Sequence, residues 1–181
     1  MERERRLKSG RLLEVDYYPV WADGRRMPTR APKTKPSTAA QSRYNHVQAI
    51  KKAVRLINAN FDTGDILMHP TYRPEDAPQS EAAAKRDFAN YIRRVKTKRE
   101  AERKRLHALC RKYPEHTDYQ KQKKQLDRPL RYYCALEEVT YKSGKNKGRS
   151  NWHFHIFMTG GIDRDILEDL WPSRARVNAD R

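Results

Sequence analysis

The chain has 181 residues, a length that suits one compact domain with appendages. Hydrophobic residues make up 36% and charged residues 35%, and the formal net charge is +17, so the core is small and the surface favours polyanions by releasing their counterions. No apolar run approaches the roughly 20 residues of a membrane span, which sets the expectation at a cytoplasmic location with nucleic acid, and no membrane, as partner.

Residues 1–41 read as a basic N-terminal arm and linker. Within them Leu13, Val15 and Tyr17 alternate with Glu14 and Asp16, the pattern of a short strand, and residues 23–36 are rich in Gly, Pro, Arg and Lys. Residues 42–181 read as the folded domain. Val47, Ile50, Val54 and Ile57 recur at spacings of three and four and predict a first core helix ending near Asn60. Residues 65–68 predict a short buried strand, which Pro70 ends or bulges. Ser80 is a candidate cap for a long second core helix whose inner face carries Phe88, Tyr91, Ile92 and Val95.

Beyond Val95 the apolar pattern thins, and Lys96, Lys98, Arg99, Arg103, Lys104 and Arg105 cover several helical faces. They are the candidate phosphate-binding residues of a projecting basic helix that ends near Pro114. Residues 115–128 read either as a loop or as the return arm of a helical hairpin, which makes 96–128 a charged helical insertion. Residues 130–141 and 151–159 are strands of a β-hairpin joined by the turn 142–148. Gly160 and Gly161 end the second strand. Ile162, Ile166, Leu167 and Leu170 then mark a short helix closing at Trp171, and residues 174–178 open a further strand. Cys110 and Cys134 lack the spacing of a zinc knuckle or redox pair and read as free thiols.

The strand 152–158 divides its residues sharply between two faces. Trp152, Phe154, Ile156 and Met158 point to the core, and His153, His155 and Phe157 point away. Two histidines two residues apart on one strand stand roughly 7 Å apart along the backbone, and their rings can lean onto one metal ion. Alternation in the partner strand puts Cys134, Leu136 and Glu138 on one face and Tyr133, Ala135, Glu137 and Val139 on the other, and hairpin pairing sets Glu137 or Glu138 beside the histidines. His69 reads as a loop histidine beside a proline, with a third imidazole ligand as the alternative.

These motifs together resemble the rolling-circle replication initiators of the HUH endonuclease superfamily. The matching stretches are Asn58-Ala59-Asn60-Phe61, the strand from Asp65 to Tyr72, the helix from Phe88 to Arg94, the strand from Tyr133 to Glu138, and Trp152-His153-Phe154-His155-Ile156, which resembles the HUH triplet. The resemblance implies an α+β fold, with a central antiparallel sheet and helices on one face. It also implies a site in which His153, His155 and Glu138 hold Mg2+ or Mn2+, and a single-stranded or hairpin DNA substrate nicked by a tyrosine.

Two departures stand out. His69 and Pro70 replace the threonine and aliphatic residue of the family's first motif. No tyrosine follows Tyr141, whereas the family's nucleophile lies after the HUH strand, so no catalytic residue is assigned. The expectation is therefore a metal-dependent nicking or binding domain of a replication initiator, whole or truncated. The alternative is an inactive HUH-derived phage or mobile-element protein that binds nucleic acid or inhibits a host replication or defence nucleoprotein such as a CRISPR effector.

Overall fold

A computed structural model describes residues 2–20, 36–172, 175–176 and 179–180. The chain forms two compact units, Met1–Asn60 and Phe61–Arg181. The division falls at 60/61 rather than at 41/42, so the helix expected to belong to the larger domain groups with the N-terminal strands. Most of the expected basic linker, residues 23–35, lies outside the described residues.

In the first unit, β1 (Glu2–Ser9) pairs antiparallel with β2 (Leu12–Pro19), and α1 spans Ala39–Asn60. No sequence signal marks β1, whose residues Glu2 to Arg6 are all charged and carry no apolar alternation. The hairpin turns at Gly10, at φ +59°, where an added Cβ would lie 1.9 Å from the Asn58 carbonyl oxygen. The face of β2 turned to α1 is the charged one. Arg55 grips Glu14 through Nε at 2.9 Å and Nη2 at 2.6 Å, and the pair holds the Glu14 carboxyl below its ordinary range. Leu13, Val15 and Tyr17 are exposed, as are Val47, Ile50 and Val54, and no residue of α1 is buried. Its amphipathic stripe is therefore real but does not make it a core helix.

The second unit contains β3 (Ile66–Met68), β4 (Thr71–Tyr72), α2 (Glu81–Lys112), α3 (Thr117–Asp127), β5 (Tyr132–Thr140), β6 (Ser150–Met158), α4 (Arg164–Asp169), β7 (Ala175–Arg176) and β8 (Ala179–Asp180). It is α+β, with an antiparallel sheet centred on β6. The strand β5 runs along the whole of β6, while β3 and β4 lie end to end along its other edge and pair outward with β8 and β7. The core forms on one face, where Ile66, Met68, Phe154, Ile156 and Met158 meet Tyr91, Ile92 and Val95 of α2, Leu126 of α3, Leu167 of α4 and Trp171. Among the described residues no helix is long and apolar enough to cross a membrane.

Ser80 caps α2, its hydroxyl accepting from the Ala83 N–H at 3.2 Å. The far half of α2 does not project, because Leu106 and Cys110 are buried and α3 returns alongside to complete a helical hairpin. Arg99 is also buried. It lies on the inner stripe, four residues after Val95, and donates to the carbonyls of Gly160 at 2.7 Å, Arg128 at 2.9 Å and Gln125 at 3.0 Å, with longer contacts to Leu126 and Thr159. The planar guanidinium fork satisfies carbonyls where α3 ends and where β6 ends. Asp65, 4% exposed at its side chain, adds a second tie between these segments, accepting from both terminal nitrogens of Arg128 and from the Gly160 N–H.

Candidate metal centre

The exposed face of the sheet is set by one continuous register. Met68 opposes Ile156 and Thr71 opposes His153, which places His69 opposite His155 and Pro70 opposite Phe154. Pro70 has no N–H to donate, yet its carbonyl accepts from the Phe154 N–H at 3.0 Å, so the ladder is interrupted without slipping. On the other side of β6, Ala135 opposes His155 and Glu137 opposes His153. Opposed residues share a face, so the outward side presents successive rows of Leu67, Phe157 and Tyr133, then His69, His155 and Ala135, then Thr71, His153 and Glu137.

His69, His153 and His155 thus come together. One ligand nitrogen from each lies within 4.8 Å of the others, all three residues half-buried. The Nδ1 atoms of His69 and His155 are 3.0 Å apart, close to the separation of two donors whose bonds of roughly 2.0–2.1 Å meet an ion at about a right angle. Burial, then His155 and His69, hold the His153 imidazole below its ordinary pKa, with Glu137 opposing. That favours the neutral ring a metal needs. Glu137 is exposed and reaches Nε2 of His155 at 3.5 Å, so a carboxylate stands beside the three imidazoles. The donor set fits a divalent transition ion better than Mg2+, which prefers oxygen ligands.

Glu138 requires a correction. It opposes Trp152 and therefore lies on the face away from the histidines, where it lines a cleft with Glu75, Pro78, Arg149 and Trp152. Glu137 takes the position beside the histidines, one residue away but of opposite strand parity. His69 does lie outside any strand beside Pro70, as its proline neighbour suggests, yet it also joins the cluster, because the parity of buried Ile66 and Met68 turns Leu67 and His69 outward.

The candidate phosphate-binding residues divide. Arg99 is internal and unavailable. Lys98 and Arg105 pair with Glu102, Arg103 and Lys104 pair with Glu100, and Lys96 is exposed. A second cationic group escaped the sequence reading because it lies in a turn. Lys142, Lys145, Lys147 and Arg149 are all exposed in the β5–β6 connection, at the end of the hairpin nearer His153.

Two tyrosines hold their hydroxyls inside the fold. Burial and the neighbouring Asp87, which accepts its hydroxyl at 3.1 Å, raise Tyr72 well above its ordinary pKa. Tyr91 is fully buried with its hydroxyl against the Leu167 carbonyl, and burial raises it likewise. Comparison with protein-family models, curated proteins and solved structures finds no match to this chain.

Proposed function

We propose that the second unit is the metal-binding domain of an HUH-type endonuclease acting on single-stranded DNA. The observation that carries this reading is the convergence of His153 and His155 on β6 with His69, in the break between β3 and β4, on the face of the antiparallel sheet away from the core. A net charge of +17 supports a polyanionic substrate. Of the two ions that the resemblance implies, Mn2+ accepts imidazole nitrogens more readily than Mg2+, and bound there it would supply Lewis-acid polarisation of a phosphodiester oxygen.

The chain's own residues do the remaining work. The pairs on either side of the break, Met68 with Ile156 and Thr71 with His153, hold His69 against His155, and Glu137 accepts from the outer nitrogen of His155 or joins the ligand set. The hydroxyls of Tyr72 and Tyr91 are held inside the fold by Asp87 and the Leu167 carbonyl. Their burial favours a second reading, a non-nicking relative that binds nucleic acid or a host nucleoprotein on the same scaffold.

Calorimetric Mn2+ titration of the wild type and of a His153→Ala, His155→Ala double variant tests the site; equal affinities would rule it out. A labelled single-stranded hairpin incubated with the protein and Mn2+ separates the two readings. A covalent adduct on a denaturing gel supports nicking, and tight binding with no adduct supports the binder.

A further inference from the structure

The row next to His69 and His155 on the outward face is apolar. Leu67, Phe157 and Tyr133 stand side by side across β3, β6 and β5, and the Phe61 ring meets that of Phe157 with centroids 5.9 Å apart. All four residues are half-buried, whereas Phe154, Ile156 and Met158 on the opposite face of the same strand are almost fully buried. Aromatic area left partly in water, beside a polar histidine cluster and on the face away from the core, calls for a ligand with a flat apolar surface. The chemistry along the same face says which. Phe157 is two residues from His155, roughly 7 Å along the strand, and the exposed cations Lys142, Lys145 and Lys147 lie at the far end of the same hairpin. An apolar platform, a cluster suited to phosphate chemistry and a cationic turn thus follow one another along one hairpin. That sequence matches a polyanion whose flat bases are free to leave their stack.

The geometry points to the Phe157–Tyr133 platform as a stacking site for an unpaired base, belonging to a nucleotide adjoining the phosphate at the histidines. This rests on reading the histidine face as a nucleic-acid site, and it extends that reading by explaining a preference for single strands. A duplex keeps its bases stacked inward and offers the platform only backbone, whereas an unpaired base can lie against Phe157 whatever its identity.

The test uses the full chain in EDTA, so that no metal contributes. Fluorescence anisotropy compares a labelled twelve-residue thymidine strand with a strand of the same length built from abasic residues, which carries the same phosphates and no bases. Wild type is expected to bind the thymidine strand at least about fivefold more tightly, the lower end of the effect of one base stacked on an aromatic ring. Phe157→Leu should collapse that ratio towards unity while leaving duplex binding unchanged, and Phe157→Tyr should keep it. Tyr133→Leu, a second route should Phe157→Leu fail to fold, should also lower it. Equal binding of the two strands by wild type, or a wild-type ratio in folded Phe157→Leu, would overturn the platform. A separate Mn2+ titration keeps the two ideas apart, since failure of the metal site would leave the metal-free ratio where it was.

Discussion

His69, in the break between β3 and β4, faces His155 on β6 with their Nδ1 atoms 3.0 Å apart. At that distance two lone pairs repel and two protons clash, so the pair is stable only with a single proton or a cation between the rings. Removing either ring should therefore remove a ligand. We expect His69→Ala and His155→Ala each to weaken Mn2+ binding by well over 100-fold, beyond the roughly 10–100-fold that the loss of an outer-shell partner produces. Glu137→Gln should cost about tenfold and Glu138→Gln nothing, because Glu138 lies on the other face. Calorimetry on the four variants decides the ligand set, and a loss at Glu138 matching that at His69 would refute it.

Gly160 packs where β6 ends, and a Cβ there would lie 2.0 Å from the Gly64 carbonyl oxygen, backbone that cannot swing aside. Gly144 in the hairpin turn has φ +74° and open space around it. The two positions need glycine for different reasons and should respond differently. Gly160→Ala is expected to lower stability by about 3 kcal/mol through overpacking, and Gly144→Ala by about 1 kcal/mol through backbone strain alone. Urea unfolding midpoints measure both, and equal shifts would show that the close approach at Gly160 is relieved elsewhere.

Arg99 replaces water for a group of carbonyls at the ends of α3 and β6. Arg99→Met should leave them unsatisfied and cost about 3 kcal/mol or more. Arg99→Lys keeps the charge but loses the planar fork, and should still cost about 2 kcal/mol. A lysine variant as stable as wild type would mean that charge alone, not the fork, holds the junction.

Burial pushes the Cys134 thiol up to about 11. The folded state thus favours the protonated thiol. Its contribution to stability is full below the ordinary thiol value near 9 and is lost as pH rises from there towards about 11. At pH 8 only about one thiol in a thousand is ionised, so iodoacetamide should label Cys134 far more slowly in the native protein than in urea. Rapid native labelling, read by mass spectrometry of the Cys134 peptide, would contradict this environment.

The hairpin β5–β6 and the two faces of β6 were legible because period-two alternation is strong from Trp152 to Met158 and burial follows it. The short helix closing at Trp171 was legible from its spacing, and the Ser80 cap from its chemistry. Glu138 was chosen over Glu137 by matching a motif, although strand parity, also present in the sequence, separates them. The stripe of α1 shows amphipathicity but not its partner, since periodicity says which side is apolar and nothing about what lies there. Arg99 was counted with the surface cations because charge was read without position. It falls on the same helical stripe as Ile92 and Val95, where an arginine must find acceptors.

Cations on α2 and in the β5–β6 turn should contribute unequally to DNA binding. Lys98 and Arg105 share Glu102 at 3.1 Å and 2.8 Å, and Arg103 holds Glu100 at 3.0 Å, so a phosphate arriving there must compete with a carboxylate already in place. Lys142, Lys145 and Lys147 are exposed in the turn beyond the histidines, on the hairpin that carries the site. Each phosphate neutralised on a single strand contributes about 0.7 to the slope of log affinity against log salt. Replacing the three turn lysines by alanine should therefore flatten the slope by about 2, while replacing Lys98 and Arg105 should change it by less than about 1. Anisotropy with a thymidine strand across a sodium chloride series measures both. A larger change from the α2 pair would place the DNA along that helix instead, away from the metal centre.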